Sequence, residues 1–313
     1  MFAYIARRLL STVPVMAMVA IVVFAILRLT PGDPAAIIAG DGATADQLAQ
    51  MRVHMGLDKP VYAQFFVWLL QLARGDLGVS LISGIPVSTM IGDRIGPTVA
   101  LGTSIIVFSV IVALPLGVIA AWRQGSILDR AIMAFSVFGF SVPVFVIGYV
   151  LILLFSIVLG WLPVQGYRPM AQGLWPFLER LILPTLALST AYIALIARIT
   201  RTSVLEVMGE DFIRTARAKG LKESGVLKRH ALPNSAVPIV TIIGVGVAGL
   251  INGVVVTESV FNLPGLGRLV VEAVLARDYP VIQGLILFFS FVYVMLNLAV
   301  DVLYTFFDPR IRY

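Results

Sequence analysis

The side chains that could carry out chemistry are few in this sequence and lie far apart. The 313 residues include no cysteine and only two histidines, His54 and His230, so thiol chemistry, disulfides and clustered histidine metal sites are excluded. Neither a G-x-x-x-x-G-K-[ST] phosphate loop nor a G-x-S-x-G nucleophile elbow occurs. The sequence therefore predicts a protein that is not an enzyme, holds no cofactor or metal, and does not itself bind ATP in the P-loop manner.

The long apolar runs contain Asp301, Asn252 and Asn297, polar side chains that chemistry or packing could require. Asp301 could belong to a proton relay, but its place near the end of a run favours a carboxylate that reaches interfacial water or a partner. Asn252 and Asn297 lie deeper, and we expect them to join helices rather than bind a ligand. No cluster typical of ion-coupled transport accompanies them.

The composition identifies the class of protein that must position these residues. Hydrophobic residues make up 59% of the chain and charged residues 13%, and the mean hydropathy is +0.97. Soluble domains are about half apolar and about a quarter charged. The net charge of +6 fits asymmetric loops beside anionic lipid better than a nucleic-acid surface. The chain is therefore predicted to be an integral membrane protein.

Six apolar runs are long enough to cross a hydrocarbon core of about 30 Å. The first is predicted to be retained, because it exceeds a signal-peptide core and lacks an A-x-A cleavage site. The even number of spans places both termini on one side of the membrane. The runs are Leu9–Leu27, Val99–Ala121, Ala131–Leu159, Leu181–Ala197, Val237–Val256 and Val281–Phe307.

The charges of the loops indicate on which side of the membrane the two termini lie. With both termini in the cytoplasm, 14 of the 23 basic residues fall in cytoplasmic segments, as the positive-inside rule favours. The long segment 31–97 then lies outside. Within it, Pro60–Ala73 is too short to span and is predicted to be an interfacial or protein-covered helix. A second short amphipathic piece, Val87–Ile95, is expected to lead into the next span.

The cytoplasmic segment 198–235 is the most unusual part of the chain, with eight basic and four acidic residues. Acidic residues begin the stretch Asp211–Lys219 and basic residues end it, which favours a helix, and Gly220 can supply the left-handed stop. Phe212, Ile213 and Ala216 share one face at helical spacing, which suits docking in a groove. A solvated basic loop is the alternative that composition alone leaves open.

The residues of this segment resemble the cytoplasmic EAA loop of ABC importer permeases. The family pattern is Glu-Ala-Ala, three residues, Gly, nine residues, then Ile-x-Leu-Pro. Here Arg214-Thr215-Ala216 stands at the Glu-Ala-Ala positions, followed by Gly220 and by His230-Ala231-Leu232-Pro233. The spacing matches throughout, whereas Arg214, Thr215 and His230 depart from the consensus. The local form is similar to the peptide-importer branch.

Further segments resemble dipeptide and oligopeptide permeases in order and spacing, over essentially the whole chain. The resemblance is closest to the first of the two permeases, as in dipeptide and glutathione importers. The segments are Tyr4–Leu10, Leu29–Pro34, Gly56–Pro60, Arg94–Thr98, Phe261–Arg268, Asp278–Gln283 and Asp308–Tyr313.

The resemblance implies an all-α membrane protein with the type I ABC importer permease fold in a bacterial inner membrane. It implies a first helix over 1–30, a periplasmic segment over 31–97, a five-helix core over 98–307 and a cytoplasmic tail over 308–313. Implied partners are a homologous second permease, two ATPase subunits that hold ATP and Mg, and a periplasmic binding protein. The implied substrate is a peptide. Nickel chelates, oligosaccharides and opines are alternatives within the family, and a secondary transporter or channel is the alternative outside it.

The resemblance also implies which residues couple the permease to its ATPases. A GxxxG pair, Gly249 and Gly253, is interpreted separately as a helix or subunit packing contact. The expected coupling residues are Asp211, Phe212, Arg214, Thr215, Ala216, Arg217, Ala218, Lys219, Gly220, Leu232 and Pro233.

Overall fold

The computed structural model describes residues 2–29, 35, 44–54 and 57–307. Within this part of the chain the regular structure is helical, apart from one isolated antiparallel bridge between Val79 and Pro86. The predicted all-α class is confirmed. The turn expected at Pro31–Pro34 and the tail over 308–313 lie outside the described residues.

Thirteen α-helices and three short helical turns follow one another along the described part of the chain. The turns are the π-helical segments Ile152–Val158 and Leu227–Ala231 and the 3₁₀ turn Met170–Gln172. The α-helices are α1 (Phe2–Leu29), α2 (Ala45–His54), α3 (Val61–Ala73), α4 (Val87–Trp122), α5 (Ile127–Ser141), α6 (Val144–Leu151), α7 (Leu174–Met208), α8 (Asp211–Ala218), α9 (Glu223–Val226), α10 (Leu232–Asn234), α11 (Ala236–Val260), α12 (Leu266–Leu275) and α13 (Tyr279–Phe307).

Four of these helices, α4, α7, α11 and α13, are long and apolar enough to cross a membrane. The predicted single span Ala131–Leu159 is wrong in form, because α5 and the helix over Val144–Val158 meet at a bend of 103°. Pro143 causes the break: it has no N–H to donate, and it forces Val142 into an extended conformation (φ −85°, ψ 126°). Counted as one broken span, the pair is the fifth, and α1 is the sixth helix at a predicted span.

The second span is also longer than predicted. Val87–Ile95 is not a separate amphipathic piece but the first part of α4, which continues through Pro97 for 36 residues. The fourth predicted span likewise extends to both sides, as the 35-residue α7. Helices of this length rise about 52–54 Å and so reach beyond a hydrocarbon core of about 30 Å. Their ends therefore carry contacts to the loops on both sides.

The core is built around α7, which packs against α4 and α5. At Gly117 of α4 a Cβ would lie 2.6 Å from the carbonyl oxygen of Ala197 and from Thr200 Cβ, so only glycine permits this close crossing. Gly139 of α5 also lies close to α7, where a Cβ would be 3.0 Å from Thr190 Cγ2. The three helices are thus held together by backbone approach at small residues.

Helix α3 lies against α1 through aromatic contacts. The Phe24 ring meets Phe65 edge to face, with centroids 5.2 Å apart, and it also contacts Trp68. Tyr62 and Phe66 of the same helix are exposed. Thirteen residues with no fully buried side chain and an exposed aromatic face are typical of a helix at a membrane interface.

Asp301 has a partner on another helix. A nitrogen of the Arg8 guanidinium lies 2.6 Å from an Asp301 carboxylate oxygen, which joins α1 to α13. Of the two interpretations, the ion pair supports a carboxylate that reaches a partner rather than a member of a proton relay.

Candidate functional site

The segment with the resemblance to an EAA loop begins with α8, which follows α7 after a two-residue turn. Asp211 lies in its first turn and Arg217 in its last, as the charge pattern predicts. After α8, Gly220 is left-handed (φ +79°), its N–H donates to Arg217 O, and the Leu221 N–H donates to Ala216 O. These two hydrogen bonds form a Schellman motif, and the predicted stop at Gly220 is confirmed.

One side of α8 packs against the rest of the chain. Ile213 is fully buried and Ala216 is 6% exposed, and both contact a cluster that includes Ala121 at the end of α4 and Val204 of α7. The cluster continues with Val226, Leu227 and Ala231 of the same loop. The prediction that Ala216 lies with Phe212 on one outward docking face is therefore wrong: Ala216 points inward and holds α8 on the ends of two spans.

The other side of α8 is open. Phe212 is a large apolar side chain that is 43% exposed, and Leu221, just after α8, is exposed as well. Asp211, Arg214, Thr215, Ala218 and Lys219 are also exposed. Arg214 lies 3.1 Å from Asp211, one turn earlier on the helix, and both side chains are largely in solvent. Such a pair contributes little to stability, so these charges remain free to meet a partner.

A stronger ion pair fixes the turn after α8. The Arg217 guanidinium donates through Nε and Nη2 to the two oxygens of Glu223, at 2.7 and 3.2 Å. This side-chain hydrogen bonding lowers the pKa of the Glu223 carboxyl and raises the pKa of Arg217. Arg217, expected to be a coupling residue, thus also shapes the loop that leads into α9.

The end of the segment returns to the membrane. The π-helical turn Leu227–Ala231 runs into α10, where Leu232 is half-buried against the α8 cluster and Pro233 is exposed. The Asn234 side-chain amide donates to the His230 carbonyl oxygen at 2.6 Å. The structure therefore brings Leu232 next to α8 and leaves Pro233 on the outer surface of the loop.

Sequence reasoning missed the ion pair that joins the same end of α7 to α5. Arg201 Nε and Nη2 donate to the Asp129 carboxylate at 2.5 and 2.8 Å, and the Gly125 N–H donates to it as well. The Asp129 side chain is 4% exposed. Asp129 and Arg201 are 72 residues apart, and no local pattern could have paired them.

A second missed group lies at the opposite end of the helices. Glu258, in the last turn of α11, is fully buried, and its carboxylate accepts hydrogen bonds from Thr98 Oγ1 of α4 at 2.6 Å and from the Arg268 N–H of α12 at 3.0 Å. Thr98 in turn accepts from the Leu266 N–H. The first turn of α12 is thereby held on a carboxylate. The sequence features that could have indicated this contact are Glu258, an acidic residue just after a predicted span, and the glycines at 265 and 267.

The GxxxG pair lies on α11, and its two glycines have different surroundings. A Cβ at Gly253 would lie 2.6 Å from Leu188 Cδ1 of α7, so this glycine permits close packing within the chain. A Cβ at Gly249 would make only an ordinary contact, 3.7 Å from the Tyr192 hydroxyl. Gly249 is exposed and lines a groove described below.

Two family models match the chain. The model described as "Binding-protein-dependent transport system inner membrane component" matches residues 113–313, and that described as "Binding-prot-dependent transport system membrane comp, N-term" matches residues 1–102. Together they cover most of the sequence, including the loop that contains α8.

Similar proteins and structures agree with these matches. The chain is 53% identical to "Probable peptide ABC transporter permease protein y4tP" of Sinorhizobium fredii and 43% identical to the glutathione transport system permease protein GsiC of Escherichia coli (strain K12). Both alignments cover all of each protein. A solved structure of the MetNI methionine ABC transporter in inward-facing conformations is similar in fold, with a TM-score of 0.59 and 17% identity over 71% of this chain and 97% of that chain.

Proposed function

Because the chain belongs to the family of binding-protein-dependent transport system inner membrane components and has the type I importer permease fold, we propose that it is a permease subunit of an ATP-driven peptide importer. The observation that carries the proposal is the packing of α8 against the rest of the chain. Its buried side rests on the ends of α4 and α7, and its open side presents Phe212 to a partner. A movement of α8 would therefore reach two spans directly.

We propose that the energy source lies in other subunits. The sequence has no phosphate loop, so ATP and Mg would be held by two ATPase subunits that dock on the open side of α8. The outward residues of the loop are the proposed contact, with Phe212 as its apolar anchor and the exposed charges around it. Ala216 and Leu232 would act on this contact indirectly, by holding α8 in place.

The remaining partners follow from the family. A homologous second permease would complete the translocation path, and a periplasmic binding protein would deliver the substrate. Peptide is the proposed substrate class, because full-length relatives include a described peptide permease and a glutathione permease. Nickel chelates, oligosaccharides and opines are the substrates that a transport assay must compare with it.

The test is ATP-dependent uptake by the assembled importer. Proteoliposomes that contain this chain, the second permease and both ATPases, supplied with the binding protein, should accumulate a labelled dipeptide or glutathione only with ATP and Mg. The matched control replaces the phosphate-loop lysine of each ATPase, and uptake should stop. The purified chain alone should hydrolyse no ATP. Uptake driven by an ion gradient through this chain alone would contradict the proposal.

The proposed orientation places both termini in the cytoplasm and is tested by cysteine labelling. Because the chain has no cysteine, single replacements of Ser83, Ser126 and Ser224 give unambiguous signals. An impermeant thiol reagent added to spheroplasts should label only Ser83→Cys, and the other two should react after lysis. Labelling of Ser224→Cys but not Ser83→Cys in intact spheroplasts would invert the topology.

A further inference from the structure

A groove of about 610 Å³ lies between α1, α11 and α13 and is used by none of the contacts described above. Val15 and Val19 form the α1 wall, and Gly249 leaves room on the α11 wall. Its polar side chains are Asn252 of α11 and Ser290, Tyr293 and Asn297 of α13. No charged side chain lines it within the described part of the chain.

The two asparagines do not join helices as the sequence suggested. Asn252 is exposed, and its side chain has no hydrogen-bond partner among the described residues. The Asn297 amide nitrogen donates at 2.9 Å to the carbonyl oxygen of Tyr293, on its own helix. Both side chains therefore keep hydrogen-bonding capacity that the chain itself does not use.

The polar side chains lie at successive depths. Helices α11 and α13 are connected through α12, so the end of α11 and the start of α13 lie on the same side of the membrane. Measured along each helix from that side, Asn252 lies about 12 Å in, and Tyr293 and Asn297 lie about 21 and 27 Å in. The polar lining of the groove thus extends over about 15 Å, half of a hydrocarbon core of about 30 Å.

An unpaired amide at this depth is unfavourable against lipid, so this side of α11 should meet water, a ligand or protein. The groove has the volume of a small-molecule site, and amide and hydroxyl groups supply both donors and acceptors. A lining without charge suits the peptide backbone, which every peptide shares, better than a charged side chain. A concave groove of this volume also suits a small mobile ligand better than the close packing of a permanent subunit contact.

We propose that this groove is part of the path along which the peptide crosses the membrane, with Asn252 and Asn297 hydrogen-bonded to peptide amide groups. The proposal rests on the proposed function and adds the contacts to the substrate. Recognition through backbone amides would make the path tolerant of side-chain sequence, and would leave selection among peptides to other parts of the importer.

The first experiment measures whether water and peptide reach the groove in the assembled importer. Asn252→Cys should react with a charged, membrane-impermeant methanethiosulfonate reagent, and excess dialanine with the binding protein and ATP should slow that reaction. Phe291→Cys is the matched control, since Phe291 is 51% exposed on α13 but lies outside the groove. It should stay unreactive. An unreactive Asn252→Cys, or one whose modification releases the second permease, would overturn the proposal.

The second experiment measures transport. Asn252→Ala and Asn297→Ala should each lower dialanine uptake about three- to tenfold, the effect of one lost hydrogen bond. ATPase co-purification should be unchanged, because neither residue belongs to α8 or to the cluster that holds it. Normal uptake by both variants would overturn the inference. If the unmodified importer transports no peptide at all, the proposed function is contradicted. If it transports peptide but Asn252→Cys is unreactive, only the proposal about the groove is contradicted.

Discussion

Arg201 of α7 donates two hydrogen bonds, of 2.5 and 2.8 Å, to the carboxylate of Asp129 of α5. The pair lies next to the cluster that contains the buried residues of α8. This pair links the broken span, α5 and α6, to the helix that leads directly into α8. The side chain of Asp129 is almost fully buried, and that of Arg201 is 22% exposed. Displacement of α7 at this end would therefore also displace α5.

Loss of one partner of this pair should destabilise the protein and weaken coupling. Asp129→Asn removes a buried charge and leaves Arg201 poorly paired, at a cost of about 3 kcal/mol. We expect a lower Tm in detergent and more ATP hydrolysed per peptide transported by the reconstituted importer. Arg198→Gln is the control, because Arg198 is exposed one turn earlier on α7. An unchanged Tm and transport ratio in Asp129→Asn would contradict the role of the pair.

Phe212 should matter for docking but not for folding. Phe212→Ser removes the exposed apolar side chain from the open side of α8 without changing the buried cluster. We expect an unchanged Tm, together with ATPase subunits that co-purify weakly and lost uptake. Lys222→Ala, just after α8, is the control and should be mild. Full ATPase retention in Phe212→Ser would show that docking uses another surface.

Ala216 should affect the stability of the loop more directly than it affects docking. Ala216→Glu places a carboxylate in the cluster formed by Ile213, Val204 and Ala121, where it has no partner. We expect a lower Tm of the solubilised chain even without ATPases, which separates this variant from Phe212→Ser. Ala218→Glu is a matched control, since Ala218 is exposed on the same helix. A normal Tm in Ala216→Glu would contradict the inward placement.

Gly220 should respond to backbone preference rather than to side-chain volume. A Cβ at Gly220 would meet no atom within 4 Å, but φ is +79°. Gly220→Val should therefore cost about 1–2 kcal/mol and reduce ATPase co-purification, whereas Gly220→Asn should be mild, because asparagine tolerates the left-handed conformation. The measurement is co-purification at equal membrane protein level. Equal effects of the two variants would point to a steric cause instead.

The sequence predicted those features that depend on local patterns. The position of α8 follows from Asp211, Arg217 and Gly220, and five of the six span positions follow from continuous apolar runs. The bend at Pro143 was missed because hydropathy does not register a missing N–H donor. The inward direction of Ala216 was missed because a helical face identifies its neighbours on the helix, not the element that covers them. The sequence analysis missed two pairs, Asp129 with Arg201 and Glu258 with Thr98. A single sequence does not indicate which distant residues contact each other.

The turn at the far end of α11 gives the strictest steric prediction. At Gly265 a Cβ would overlap the Glu258 carboxylate, and this buried group cannot move away without losing its hydrogen bonds from Thr98 and from the Arg268 N–H. Gly265→Ala should therefore destabilise the protein by about 3 kcal/mol or more, as overpacking and an unsatisfied carboxylate combine. The measurement is the Tm of the solubilised chain.

The matched control for this prediction is Gly102→Ala in α4, where a Cβ meets no atom within 4 Å. Alanine is preferred to glycine in a helix by about 1 kcal/mol, so Gly102→Ala should hold or raise the Tm. Glu258→Gln tests the carboxylate separately. The amide nitrogen of the new glutamine cannot accept a hydrogen bond, so either the Thr98 hydroxyl or the Arg268 N–H loses its acceptor. A lowered Tm in both Gly265→Ala and Glu258→Gln, but not in Gly102→Ala, is the expected pattern. An unchanged Tm in Glu258→Gln would mean that packing alone, and not the carboxylate, holds α12 on α4 and α11.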